Sequence, residues 1–105
     1  MPKVKVFEKR FTGLCILKVV VGSNTPMDGD AGHGGRTILV LENEGGCAWD
    51  VEVDGKKIEN PKRITIVMHG DDEAERLVEA LEFVVKVLRM QIDSRNEKGY
   101  EIEVE

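Results

Sequence analysis

Short runs rich in β-branched residues fill most of this chain, and after Gly70 they give way to one unbroken stretch of helical periodicity. Strands grouped ahead of a single helix point to an α+β fold, a mainly antiparallel sheet of five to six strands with the helix packed on one face. The expected order is β-β-β-β-β-α-β, the fifth strand open to a break at Pro61 because proline cannot donate to a ladder.

Lys3 to Phe7 alternates polar and apolar residues and places Val4 and Val6 on one face, as a half-buried strand requires. Leu14 to Val21 and Thr37 to Leu41 are apolar on both faces, the pattern of paired central strands. Asn43 to Gly46 reads as a turn, and Trp49, Val51 and Val53 alternate with acidic residues in a strand that has one wet face. Asp54-Gly55 marks a type I′ hairpin, since both positions of that turn need positive φ. The chain then returns through Lys56 to Ile58, and Arg63 to Met68 forms a further strand. Tyr100, Ile102 and Val104, alternating with glutamates, predict a closing edge strand.

The helix is expected over residues 71–93. Asp71 or Asp72 caps it, Asp72 and Glu75 have capping-box spacing, and the acidic first turn complements the dipole. One face carries Ala74, Leu77, Val78, Leu81, Val84, Val85, Leu88 and Ile92. A second apolar row holds Ala80, Phe83, Val87 and Met90, more than a lone helix on one sheet needs. Either a curved sheet wraps the second row or the row is a homodimer surface; the expectation adopted is the homodimer.

Between the two central strands lies the candidate site, Gly22 to Arg36, with five of the eleven glycines. Polar, glycine-dense loops inside small domains are usually functional or disordered. Known phosphate and metal motifs do not fit it. A P-loop needs Lys-Ser/Thr opening a helix, and here Arg36-Thr37 opens a strand. Gly32-His33-Gly34-Gly35 lacks the last glycine of a dinucleotide fingerprint and also leads into a strand. Asp28-Gly29-Asp30 begins like an EF-hand, but His33 stands where glycine is required. An esterase oxyanion segment needs a Gly-x-Ser-x-Gly elbow, which the sequence lacks.

Two chemistries remain for the loop. Backbone N–H groups at Gly34, Gly35 and Arg36, with the Arg36 guanidinium, can nest an anion, and Ser23, Asn24 and Thr25 can bond its other polar groups. In that leading reading Asp28, Asp30 and His33 line a site for a small anionic, nucleotide-like ligand held without covalent chemistry, and no cofactor is called for. Alternatively Asp28, Asp30 and His33 bind a divalent ion in a phosphoesterase. A second alternative is a protein-interaction or inhibitor module whose loop and helix row contact another protein. A purely structural loop, with Asp28 and Asp30 as turn formers, is the bland reading. His69 joins the site only if residues 62–68 run back to the loop's edge; the helix N-terminus then faces the loop as well.

At 105 residues the chain is expected to form one domain, residues 1–105. A net charge of -5 argues against general nucleic-acid binding, and no apolar run is long enough for a membrane span. Cys15 and Cys47, far apart and next to apolar residues, are expected to be reduced, buried thiols of a cytoplasmic protein. Charged residues at 33% with a single glutamine are compatible with a thermophilic source.

Overall fold

The computed structural model describes residues 1–94 and 99–104. The chain is α+β, with six strands followed by one long helix: β1 Val6–Phe11, β2 Ile16–Ser23, β3 Arg36–Gly45, β4 Asp50–Val53, β5 Lys56–Glu59, β6 Arg63–His69 and α1 Asp71–Ser94. It divides into two compact units, Met1–Ala74 and Glu75–Glu105.

In the first unit, β1-β2-β3-β6 form an antiparallel sheet in that order, and β4 pairs only with β5. Strands β2 and β3 are the central pair, as their two-faced apolar character predicts. The Asp54-Gly55 turn also forms as expected, with φ of 51° and 79° and Val53 opposite Lys56. The break at Pro61 is complete: β5 ends at Glu59, and β6 leaves the hairpin to join the other edge of β3.

Register decides which residues face inward. Phe7, Val21, Leu39 and Ile66 lie opposite one another across the four strands, as do Lys9, Val19, Leu41 and Ile64. Apart from Lys9 on the edge strand their face is apolar, and it is best covered at its centre, where Leu39 is 9% exposed while Phe7 on the edge strand is 66% exposed. On the opposite face Arg10, Lys18, Glu42 and Arg63 line up across the sheet. Ion pairs Arg10–Glu44, Lys18–Glu8 and Arg63–Glu42 neutralise that row, and Val40 beside it is 4% exposed. The Arg10 guanidinium, bonded to Glu44, holds that carboxyl below its ordinary value.

Three expectations are corrected. The first strand is Val6–Phe11 rather than residues 3–7, because pairing with β2 sets its position: Gly22 lies opposite Val6, and a Cβ there would collide with the Lys5 carbonyl. No strand forms at residues 100–104, where Tyr100, Ile102 and Val104 are exposed; alternation alone supplies no partner edge. The two cysteines are joined as a Cys15–Cys47 disulfide with Cα atoms 4.5 Å apart, and Cys15 is exposed rather than buried. Antiparallel pairing of β2 with β3 brings them together, since Ile16 lies opposite Gly45. Gly46, at φ 76°, completes the approach, as any side chain there would run into the Leu14 carbonyl. Joined in this way, the cysteines do not point to a cytoplasmic location.

Helix α1 spans 24 residues from Asp71. Among them Ala74 alone is buried. Val78, Leu81, Val84, Val85, Leu88 and Ile92, the residues assigned by periodicity to the covered face, are exposed. Among the described residues no helix is long and apolar enough to cross a membrane.

Candidate functional site

The loop between β2 and β3 is closed by its own side chains. Asn24 holds the two ends together: its N–H donates to the Arg36 carbonyl at 3.1 Å, its Oδ1 accepts the Arg36 N–H at 2.7 Å, and its Nδ2 donates to the Gly34 carbonyl at 3.0 Å. The Ser23 hydroxyl lies 2.8 Å from the hydroxyls of both Thr25 and Thr37, forming a short chain at the base of the loop. Asp30 caps a single 3-10 turn, Ala31–His33, by accepting the Gly32 N–H at 2.9 Å. That bond, followed by the one to the His33 ring at 3.3 Å, lowers the Asp30 pKa. The His33 ring in turn lies over Gly29, where a Cβ would overlap it.

These bonds occupy the groups expected to bind an anion. The Gly34 N–H donates to the Ala31 carbonyl and the Arg36 N–H to Asn24, so two of the three N–H groups of the expected nest are engaged. The Arg36 guanidinium donates to the carbonyls of Ala31 and Gly35 at 2.9 and 2.7 Å. Ser23, Asn24 and Thr25 brace the loop, and Asp28 forms a turn at φ 65°. Among the described residues no group of three or more His, Cys, Asp or Glu side chains is placed to hold a metal ion, so Asp28, Asp30 and His33 do not converge as a ligand set.

An anion nest does exist, seven residues earlier in the loop and already filled. The Asp71 carboxylate accepts the N–H groups of Met27, Asp28 and Gly29, at 2.9, 2.8 and 3.3 Å. Successive backbone N–H groups turned onto one carboxylate are the arrangement by which loops bind anions, here satisfied within the chain. The approach of Asp71 follows from the strand order. Pairing of β6 with β3 sets His69 opposite Arg36, the Gly70 N–H bonds the Gly35 carbonyl at 2.9 Å, and the Asp71 N–H bonds the Gly29 carbonyl at 3.2 Å. His69 therefore ends at the loop's edge, the arrangement in which the start of α1 faces the loop. Sequence periodicity identifies Asp71 only as a helix cap; its role as the loop's anchor becomes visible once β6 is placed next to β3.

The clasp has a pH signature. The Met27 N–H contributes most to lowering the Asp71 pKa, desolvation opposes it, and the Asp28 and Gly29 N–H groups add to it. Above about pH 4 the carboxylate is charged in folded and unfolded chains, and the clasp contributes fully. As pH falls through the depressed folded-state value, that contribution is lost. Asp71→Asn is expected to melt at lower temperature than the wild type near neutral pH and to show a shallower loss on acidification. Thermal unfolding between about pH 7 and pH 3 checks this; equal slopes would show that Asp71 does not carry the acid sensitivity.

Comparison with protein families, with curated proteins and with solved structures finds no match to this chain. Its chemistry therefore rests on the groups just described. What the loop can do is join β2, β3 and the first turn of α1 through bonds between its own groups.

Proposed function

We propose that the chain is a protein-interaction module, in which the sheet unit and its clasped loop carry α1 and the apolar side of α1 is the contact surface. The observation that supports this most is exposure: Leu81 is 38%, Leu88 50% and Ile92 68% exposed, on a helix with one buried residue. Contiguous apolar surface of that kind marks protein-binding sites on soluble chains, because water contact along it is costly. At about 100° per residue the apolar positions of α1 span an arc of roughly 240°, wider than one sheet face covers.

A small anionic ligand at residues 23–36 is supported less well. It would have to displace Asp71 from the three N–H groups or reorganise Arg36, in a neighbourhood made acidic by Asp28, Asp30, Asp71, Asp72 and Glu73. The phosphoesterase alternative needs a metal ligand set that these side chains do not form.

The test is a photoreactive residue at Val85, with one at Glu79 on the polar side as control. Intermolecular adducts from Val85 and few from Glu79 are expected. Adducts confined within single chains would contradict the interaction reading.

A further inference from the structure

The charge pattern along α1 points to a second copy of this chain as the occupant of its apolar surface, bound through an antiparallel pairing of the two α1 helices; this rests on the interaction reading above. Val78, Val85 and Ile92 recur every seven residues, and Leu81 and Leu88 do the same beside them. A seven-residue repeat keeps one seam facing a partner helix along its length. Val78, Leu81 and Val85 form an exposed apolar patch on this seam, flanked by one acidic residue, Glu82, and one basic residue, Lys86.

Orientation and partner follow from where the charges fall. Up to Glu82, α1 carries Asp71, Asp72, Glu73, Glu75, Glu79 and Glu82 against Arg76 alone; beyond it come Lys86, Arg89 and Asp93. A parallel pair would place the two acidic halves side by side. An antiparallel pair sets Glu79 and Glu82 of each helix along the stretch of the other that carries Lys86 and Arg89, and the contact is self-complementary, as a two-fold homodimer interface must be. With Val85 on the two-fold axis, Val78 meets Ile92 of the second copy, Leu81 meets Leu88, and Glu82 lies beside Arg89. Symmetry makes each of these contacts twice. The proposal assigns the contact to this row rather than to Ala80, Phe83, Val87 and Met90, of which Val87 and Met90 are half-buried within the chain.

Sedimentation equilibrium of the full chain tests it. The wild type is expected to dimerise at micromolar concentration. Val85→Glu, which places two like charges together on the axis, is expected to raise the dissociation constant by at least about 100-fold. Glu82→Arg should weaken pairing by about tenfold, and Glu82→Arg with Arg89→Glu should restore it. All three substitutions are on exposed helix positions, and circular dichroism confirms that each variant is folded. A monomeric wild type, a dimer indifferent to Val85→Glu, or no restoration by the double exchange overturns the antiparallel pair. If the isolated chain is monomeric but Val85 crosslinks to a different protein, self-pairing is refuted and the interaction reading stands. If it is monomeric and Val85 gives no intermolecular adduct, both fail.

Discussion

Removing the Cys15–Cys47 disulfide is expected to lower the unfolding free energy by about 3 to 4 kcal/mol, the chain-entropy value for closing a loop of this size. The cysteines are 32 residues apart, and the loop they close contains the central β2–β3 pair and the whole of the clasped segment. The bond joins the ends of these strands opposite the clasp, so in its absence the covalent tie is lost at that end and the pair is held by its ladder and the Asn24 bonds. Denaturant unfolding of the oxidised chain and of Cys15→Ala/Cys47→Ala gives the difference directly. A fall of less than about 1 kcal/mol would mean that the unfolded chain is already restricted, or that the linked ends contribute little to the fold.

The second large effect is in the sheet centre. Leu39→Ala is expected to cost about 2 to 5 kcal/mol, the range for emptying a buried leucine site. Leu39 sits on β3 between Val21 and Ile66, and among the described residues few other side chains are so well covered. With so small a core, the loss falls on a large share of the stability. Phe7→Ala on the edge strand, where the ring is 66% exposed, is expected to cost under about 1 kcal/mol although more atoms are removed. Equal costs would show that the apolar face is covered evenly, contrary to the observed burial.

Local chemistry made much of the fold readable. Asp54-Gly55 specifies its turn without help from the rest of the chain, and the two-faced apolar runs identify β2 and β3 as central. The helix begins at Asp71, where the acidic first turn after Gly70 places it. What depends on distant partners was less readable. The first strand takes its position from Gly22, and residues 100–104 alternate without an edge to join. The disulfide was within reach of topology: once residues 14–21 pair with 37–41 antiparallel, Cys15 and Cys47 flank the same end. Residue type alone, with two isolated cysteines beside apolar neighbours, favoured the wrong state.

The loop illustrates the same limit. Its location and its capacity to form an anion nest could be inferred from glycine spacing, but the choice of N–H groups and of anion could not. Met27, Asp28 and Gly29 rather than Gly34 to Arg36 turn inward, and the carboxylate comes from a residue more than forty positions away. That placement depends on β6 crossing to the far edge of β3, a topological choice that Pro61 permits but does not dictate.

The loop's N–H groups are satisfied by the Asp71 carboxylate of α1, and the proposed contact surface is the apolar side of that helix. An amide-resolved magnetic resonance spectrum of the full chain, followed first on dilution through the micromolar range and then on addition of millimolar inorganic phosphate, tests both halves in one sample. Concentration-dependent shifts along residues 78–92 and no phosphate response at residues 23–36 are expected. Saturable phosphate shifts at Gly34 to Arg36, with α1 unchanged by dilution, would contradict both.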